Sequence, residues 1–508
     1  MRVAPLSALL VAALLFLSAT SCSREPAQQP HLLLISIDTL SRDALRAFAP
    51  EAELLPAFDR LASNSVRFEQ AISPASWTLP AHASLLTGLY PHRHGAVHRR
   101  SLLAAEVPTL AEQLAGAGYA TAAFTDGGFV DAKYGLDRGF ERYDGISASG
   151  EAAPGWLPLG GRPPEVRGFD PFGRAIAHLE HRDDPRPQLL FVHTYALHDY
   201  FHDHALSRRR ARLGAAVGPG SPAAAATTPP SASPESGARI TAIGRANLRC
   251  LLGDGPCSRR RWERLALLYR RELRRLDPEL ARLLAAARRS LDDRPLWIVL
   301  TADHGEAFGS PGRQHHGGEL HPEVLAVPLL VSGPGAKPAS ADSRVSLVDV
   351  APTLLELGGV EPPEELEGRS LAPLLGEGWR ARLLRRRLAD RDLHAEEHYY
   401  WWRNGRRASA RDIRATPIAV ALWRGDWWYV RSLAGEQVRR WPPLAGEGDD
   451  GAEPANARAA DAPPEPALSE LRREARALAR MRVVSTDPRP EDRELDEQLR
   501  SLGYGGGP

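Results

Sequence analysis

Long apolar runs without alternation are the clearest pattern in the chain. They cover residues 31–37, 189–193, 296–301 and 327–331. Such runs are typical of strands that are buried on both faces of a parallel sheet. Between them, apolar positions recur at helical spacing over 109–117 and 262–289. Strands that alternate with helices predict a doubly wound, mostly parallel α/β sheet with helices on both faces.

Three of these predicted strands are followed by side chains that can carry chemistry. Asp38 and Asp303 come just after the strands that begin at residues 31 and 296, and His193 ends the strand between them. Ligands of open α/β sheets bind beyond the carboxyl ends of the strands. We therefore expect the functional site at this edge of the sheet.

The same pattern divides the chain into a signal segment (1–22), a polar tether (23–30), a large domain (31–376) and a C-terminal subdomain (377–508). Residues 206–239 are rich in Ala, Pro, Ser, Gly and Arg, which predicts a flexible insertion without a core of its own. The C-terminal subdomain is predicted to be α+β. Its expected elements are two aromatic strands, at 418–423 and 427–431, and two helices, at 467–481 and 491–502.

The N-terminus has the pattern of an export signal. Arg2 precedes a short apolar stretch, Leu9 to Leu17, and small residues lead to Cys22. The segment from Ala19 to Cys22 resembles a bacterial lipobox, in which the cysteine is acylated and anchors the mature protein to a membrane. We therefore expect a periplasmic or cell-surface lipoprotein of a bacterium. The alternative is an ordinary secretory signal that happens to contain a cysteine.

Composition narrows the function only slightly. Lys+Arg number 64 and Asp+Glu 63, a net charge of +1, so nothing points to nucleic acid as a partner. Cys250 and Cys257 are close together with Gly and Pro between them, which in an oxidising compartment favours a local disulfide.

The most specific motif runs from Ser76 to Pro91 and reads Ser-Trp-Thr-Leu-Pro-Ala-His-Ala-Ser-Leu-Leu-Thr-Gly-Leu-Tyr-Pro. It resembles the signature of the sulfatase family, within the alkaline-phosphatase superfamily. Segments 35–40, 301–306 and 348–354 are similar to the two metal motifs and the distal helix of that family. The resemblance implies an alkaline-phosphatase-like fold. It also places Thr78 at the position of the nucleophile.

The resemblance implies a metal site as well. Asp38, Asp303 and His304 match the metal positions of the family, and Thr78 supplies the fourth protein ligand. Independently, Pro80 suits the first turn of a helix, which puts Thr78 at a helix N-terminus that favours anions. Two carboxylates, one imidazole and one hydroxyl suit one divalent ion, without distinguishing Ca²⁺, Mn²⁺ and Zn²⁺.

Three histidines are further candidates for catalysis. His198 matches an anion-binding histidine of the family, and His316 resembles the second active-site histidine of phosphoethanolamine and glycerophosphate transferases. A histidine there can contact the transferred group or protonate the leaving oxygen. His82 occupies the position of the signature's arginine, and we expect it to compensate in part for that cation.

Several residues depart from the family pattern. Threonine cannot be oxidised to formylglycine, because its β-carbon carries a methyl group, so no formylglycine is expected. Thr39 replaces the second Asp of the usual pair, and residues 126–129 (Asp-Gly-Gly-Phe) replace an anion-binding Lys and His. Fewer cations in the pocket suit a less charged ester, such as a phosphate diester.

These observations predict a metal-dependent hydrolase or transferase that cleaves phosphate diesters, or related phospho and sulfo esters, through a covalent Thr78 intermediate. The expected substrate is a small molecule or a lipid or glycan ester. Two alternatives stay open. One is a catalytically degenerate binding lipoprotein on the sulfatase scaffold. The other is a two-metal phosphatase, whose second cluster would need residues among His198, Asp199, His202 and His204.

Overall fold

A computed structural model describes the larger part of the chain. It covers residues 28–50, 52–145, 170–201, 258–307, 316–318, 320–376, 381, 383, 388, 391–398, 402–403, 406–407, 416–425, 427–432, 435–440 and 463–483. The signal segment with Cys22, the insertion 206–239, the pair Cys250 and Cys257, and the predicted helix 491–502 lie outside these residues. Within the described part, every helix is too short or too polar to cross a bilayer.

The main sheet has nine strands, and its central strands are buried at every position. In chain order they are β1 (His31–Ile37), β2 (Val66–Ile72), β3 (Ala120–Phe124), β4 (Arg142–Asp144), β5 (Gln188–Thr194), β6 (Leu296–Thr301), β7 (Ala326–Val327), β8 (Leu329–Ser332) and β9 (Ala339–Ser346). Their order across the sheet is β4-β3-β5-β1-β6-β8-β2-β7, with β9 paired to β2. The block from β4 to β6 is parallel throughout. The predicted mostly parallel α/β fold is confirmed.

Helices cover the sheet as two groups. They are α1 (Pro56–Ser63), α2 (Thr78–Thr87), α3 (Pro91–His94), α4 (Leu110–Gly116), α5 (Asp170–Glu180), α6 (Arg259–Ser290), α7 (Pro322–Leu325) and α8 (Val350–Leu357). Helices α1 and α5 pack against α6, whereas α2, α4 and α8 pack against one another. Because β1 and β5 expose neither face, cover on both sides of the sheet is required, and these groups supply it.

One strand prediction was wrong in its direction. The run 327–331 is divided into β7 and β8 at Pro328, and both strands are antiparallel to their neighbours. Proline has no N–H to donate to a ladder, so the strand breaks there. The Pro328 carbonyl accepts a hydrogen bond from Thr301 Oγ1 at 2.8 Å. An unbroken apolar run reports burial on both faces, but it carries no information about strand direction.

The C-terminal region forms a second, antiparallel sheet of order β10-β13-β14-β15. Its strands are β10 (Leu393–Glu397), β13 (Ala419–Arg424), β14 (Trp427–Ser432) and β15 (Gly435–Arg440), and a separate hairpin pairs β11 (Trp402–Arg403) with β12 (Arg406–Arg407). One face, including Trp423 and Trp428, packs on Ile72 and Leu325 of the main domain. The other face is covered by α9 (Glu465–Leu478). The sheet is therefore held between the main domain and its own helix.

The Thr87-Gly88 step of the Ser76–Pro91 motif ends α2. Thr87 Oγ1 donates to the Ala83 carbonyl at 2.7 Å, and Gly88 has φ +72°, in the left-handed region. A Cβ at Gly88 would also meet Pro352 and the Val348 carbonyl at 3.3 Å. Glycine is therefore required for α2 to end and for α8 to pack beside it.

Candidate active site

Thr78 is the first residue of α2 and lies fully buried. Trp77 before it is extended, with φ −156° and ψ 165°, so the chain turns into the helix at Thr78. Pro80 lies in the first turn, where the missing N–H costs nothing, as the sequence predicted. Backbone N–H groups of this first turn have no partner within the helix and favour an anion next to the Thr78 hydroxyl.

Two acids reach Thr78 from neighbouring strands. In the parallel register Ser36 is opposite Thr301, so Asp38 and Asp303 leave β1 and β6 at the same edge of the sheet. Thr78 Oγ1 donates to Asp38 Oδ2 at 3.0 Å. Asp303 Oδ1 accepts from the Thr39 backbone N–H at 3.4 Å, which joins the two strand ends directly.

His304 completes the group. Its Nδ1 donates to the Gly305 carbonyl at 2.9 Å, which leaves the lone pair on Nε2. Nε2 lies 3.3 Å from Asp303 Oδ2 and 3.5 Å from Thr78 Oγ1. One ligand atom each from Asp38, Asp303 and His304 lies within 4.8 Å of the others, and all three residues are buried. The structure therefore brings together all four predicted metal ligands.

The electrostatics of this group fit a divalent cation. Within the described residues, Asp38 Oδ1 and Asp303 Oδ2 are buried without a hydrogen-bond partner. Burial, followed by repulsion from Asp303, raises the pKa of the Asp38 carboxyl well above its usual range. Two adjacent buried carboxylates are costly without a counter-charge. A cation between them would remove both the repulsion and the unsatisfied lone pairs.

Thr39 stands at the position of the family's second Asp and has an unusual backbone. Its φ is +58°, and it is the only residue other than glycine with positive φ among those described. The Thr39 hydroxyl donates back to the Asp38 carbonyl at 2.7 Å, and the Tyr269 hydroxyl donates to the Thr39 carbonyl at 2.9 Å. The Thr39 side chain therefore fixes the strand end instead of supplying a carboxylate.

The two predicted substrate histidines lie beside the metal group. The His316 ring is 4.4 Å from that of His304 and 5.0 Å from that of His198, between centroids. His316 Nδ1 donates to Glu306 Oε2 at 3.1 Å. Sequence reasoning quoted Glu306 within the second metal motif but gave it no role. The contact through which Glu306 orients His316 could have been suspected, because Glu306 lies only three residues after Asp303 in the sequence.

His82 lies on the opposite side, behind the acids. Nδ1 donates to the Thr78 carbonyl at 2.9 Å and lies 3.5 Å from Asp303 Oδ2, while Nε2 accepts from Ser36 Oγ at 2.9 Å. Burial lowers the pKa of His82, although Asp303 acts in the opposite sense. His193 is stacked edge-on against it at 4.7 Å, and burial lowers the pKa of His193 well below its usual range. Two neutral histidines therefore support the acids from behind.

The segment that replaces the family's Lys and His has structural contacts. Asp126 Oδ2 accepts from Thr194 Oγ1 and from the Tyr195 backbone, each at 2.9 Å, at the end of β5. Phe129 packs edge-on against Trp77, the residue before the nucleophile position, at 5.2 Å. Gly127 and Phe129 therefore stand at the sequence positions of the two cationic groups, and Asp126 beside them adds a carboxylate.

The C-terminal sheet contributes a buried acid that sequence reasoning missed. Glu397 Oε2 accepts from Ser76 Oγ at 2.5 Å and from the Gly318 backbone at 3.2 Å. Gly317 in turn donates to the Ser76 carbonyl at 2.9 Å. Glu397 therefore joins the segment before Thr78 to the loop that carries His316. No local motif reveals this contact, because Ser76 and Glu397 are 321 positions apart.

Glu397→Gln tests this contact. Glutamine keeps one acceptor oxygen, but its NH₂ group must face either the Ser76 and Gly318 donors or the His398 backbone N–H, which now donates to Oε1 at 3.1 Å. One of these contacts is lost, so the Ser76 and His316 segments should separate. A misplacement of about 1 Å can reduce turnover ~100-fold, and we expect kcat to fall by ~10- to 100-fold with a smaller change in KM. Glu465→Gln, on the exposed first turn of α9, is the matched control and should leave kcat unchanged. An unaltered kcat in Glu397→Gln would refute the positioning role.

Comparison with known protein families agrees with this geometry. The sulfatase family matches residues 30–360, and the C-terminal region of N-sulphoglucosamine sulphohydrolase matches residues 319–404. Arylsulfatase K of Xenopus laevis is 41% identical over 80 residues, which are 16% of this chain and 15% of that protein. The matched segment thus spans a small part of this curated relative.

Solved structures resemble the chain over nearly its whole length. The phosphonate monoester hydrolase of Agrobacterium radiobacter has a TM-score of 0.60 and 22% identity, covering 88% of this chain and 95% of its own. A putative sulfatase from Bacteroides thetaiotaomicron has a TM-score of 0.59 and 18% identity, covering 92% and 96%. At these identities the likeness concerns the fold. Together with the family match over most of the chain, it establishes that this protein belongs to the sulfatase family.

Proposed function

We propose that this protein is a hydrolase or transferase of phosphate diesters, or of related phospho and sulfo esters, with Thr78 as its nucleophile. The carrying observation is the contact of Thr78 Oγ1 with Asp38 Oδ2 at 3.0 Å, at a helix N-terminus beside Asp303 and His304. A hydroxyl needs activation before it can attack an ester, and it is held here against an acid.

Asp38, Asp303, His304 and Thr78 would hold one divalent ion. When bound, that ion would act as a Lewis acid on the ester and lower the pKa of the Thr78 hydroxyl. The unpartnered oxygens of Asp38 and Asp303 support this assignment. The identity of the ion stays open among Ca²⁺, Mn²⁺ and Zn²⁺, because carboxylate, imidazole and hydroxyl ligands suit all three.

The proposed reaction has two displacements. In the first, Thr78 Oγ forms a bond to phosphorus, its proton passes to Asp38, and the bond from phosphorus to the leaving oxygen breaks. His316 supplies the proton that the leaving oxygen needs, and the hydrogen bond from its Nδ1 to Glu306 Oε2 orients the ring for that transfer. In the second, the oxygen of water or of an acceptor hydroxyl attacks phosphorus and gives its proton to His316. The bond from phosphorus to Thr78 Oγ breaks, and Thr78 takes back the proton from Asp38. His198, beside His316, contacts the non-bridging oxygens.

His82 is proposed to act through its neighbours. It replaces the arginine of the signature, yet both of its ring nitrogens are already engaged. Nδ1 contacts the Thr78 carbonyl and Asp303, and Nε2 contacts Ser36. A neutral imidazole there positions the nucleophile and one metal ligand. It adds no positive charge to the pocket.

The preference for a diester follows from this lack of cations. A diester carries one negative charge, and fewer cations are needed to bind it than for a monoester dianion. Asp126, next to the position of the family's lysine (Gly127), adds a carboxylate close to Tyr195. Because threonine cannot give the aldehyde of formylglycine, a hydroxyl nucleophile replaces the aldehyde hydrate that sulfatases use.

A substrate panel tests the proposal. The purified soluble fragment, supplied with each candidate metal, should hydrolyse aryl phosphodiesters and phosphonate monoesters with a higher kcat/KM than aryl sulfates. Rapid quenching followed by mass analysis should find a phosphoryl group on the peptide that contains Thr78. If aryl sulfate is the best substrate and no phosphoryl group is found on Thr78, the proposal is wrong.

We also propose export and anchoring through acylated Cys22, with residues 31–376 and 377–508 as the two folded regions. A lipid or glycan ester is the natural substrate class at a membrane surface. The binding-lipoprotein alternative is less favoured, since the four proposed metal ligands and His316 remain in one buried group. For the two-metal phosphatase, His202 and His204 lie outside the described residues.

A further inference from the structure

A second group of potential metal ligands lies where α3 meets the C-terminal sheet. His92 belongs to α3, whereas His394 and Glu396 belong to β10 and His398 follows it. Alternate residues of a strand point to the same face, so positions 394, 396 and 398 form one row. Side-chain exposure is 9% for His92, 15% for His394, 1% for Glu396 and 2% for His398. This His–Glu cluster is thus nearly buried.

Three imidazoles converge on the single carboxylate. His92 Nδ1 and His394 Nε2 lie 2.6 Å and 3.0 Å from Glu396 Oε1, and His398 Nε2 lies 2.8 Å from Oε2. One atom each of His92, His394 and Glu396 lies within 4.8 Å of the others, as in the active site. The backbone of His92 also donates to Glu396 Oε2 at 3.1 Å. The three imidazoles thus surround the Glu396 carboxylate, and they come from α3 and from the region of β10.

We propose that the His–Glu cluster is a second, structural metal site that joins the main domain to the C-terminal sheet. The ligands are His92 Nδ1, His394 Nε2 and Glu396 Oε1, and His398 holds the second carboxylate oxygen. Imidazole nitrogens with one carboxylate suit Zn²⁺. Burial of three imidazoles and a carboxylate is costly, and coordination offsets that cost. The partly exposed His394 provides the route by which an ion enters.

The site bears on the active centre through the next residue. Glu397 holds Ser76 and Gly318, so an ion at Glu396 fixes the strand from which Glu397 reaches the nucleophile segment. It also changes how metal content is interpreted. Two ions per chain would suggest a two-metal phosphatase, although the second ion would lie in the His–Glu cluster.

Zinc stoichiometry of selected variants tests the proposal. Protein stripped with a chelator, reloaded with Zn²⁺ and dialysed should hold two ions per chain. Asp303→Asn leaves the His–Glu cluster untouched and should retain one. His394→Ala should also retain one, and the double variant should retain none. His181→Ala, at an exposed position, is the matched control and should retain two.

Two results would overturn the proposal: no ion in Asp303→Asn, or as many ions in His394→Ala as in the wild type. A two-metal active site would lose both ions in Asp303→Asn and is thereby distinguished. If His394→Ala does not fold, Glu396→Gln and the wild-type and Asp303→Asn counts still decide. None of these measurements depends on turnover, so the proposal can fail while the proposed function stands, and the reverse.

Discussion

Thr78→Val should abolish turnover while leaving the fold intact. Valine keeps the shape of threonine at the start of α2 but has no hydroxyl to form the covalent bond. Loss of a nucleophile costs about 10⁴-fold or more in kcat, and we expect a loss of that size on the best phosphodiester. Steady-state kinetics measure it, and unchanged circular dichroism shows that the variant is folded.

Thr78→Ser is the matched control. It retains the hydroxyl and removes only the methyl group, so turnover should stay within ~10-fold of the wild type, a modest change for a group whose nucleophile is kept. The pair separates the hydroxyl from the packing of the side chain. Substantial phosphodiesterase activity in Thr78→Val would mean that water, and not Thr78, attacks the substrate.

Asp303→Asn should have the second largest effect, because it removes a negative charge from the proposed metal site while asparagine keeps the shape of the side chain. Asp303 Oδ2 is buried within 3.3 Å of His304 Nε2, and an amide there cannot balance a cation. We expect the active-site ion to be lost and kcat to fall by about 10³-fold or more, as for other losses of electrostatic stabilisation.

Chelation of the wild-type protein should reproduce the same loss. A bound ion at a thousandfold excess over its Kd stabilises the native state by about 4 kcal/mol, so the melting temperature should fall when the ion is removed. Asp342→Asn, at an exposed position of β9, is the control and should respond to chelation as the wild type does. If Asp303→Asn retains both the ion and activity, Asp303 is not a ligand.

The central strands and their terminal acids could be predicted from sequence because one physical cause governs both. A strand that is buried on both faces must be apolar throughout, and polar residues can follow only where it leaves the sheet. Asp38 and Asp303 satisfy this rule at β1 and β6, and the parallel register then places them together. The family resemblance added Thr78, whose helix start Pro80 independently indicated.

Contacts between distant segments could not be predicted in this way. Glu397 and the His–Glu cluster depend on how the C-terminal sheet docks on the main domain, and no spacing within a single element encodes that docking. The position of His82 behind the acids follows from the rotation of α2, which its uniformly buried sequence does not reveal. The direction of β8 could not be predicted either, since a buried strand has the same apolar sequence whether it runs parallel or antiparallel to its neighbours.

The contact of Glu397 with the segment before Thr78 predicts that residues 31–376 alone would be a poor catalyst. A fragment ending at residue 376 would retain Thr78 and every proposed metal ligand of the active site, yet Ser76 and Gly318 would lose the acceptor that holds them together. Replacing or shortening the region after residue 376 would therefore alter reactivity as well as recognition. Substitutions in the C-terminal region that change substrate preference must therefore preserve the contact of Glu397 with the segment before Thr78.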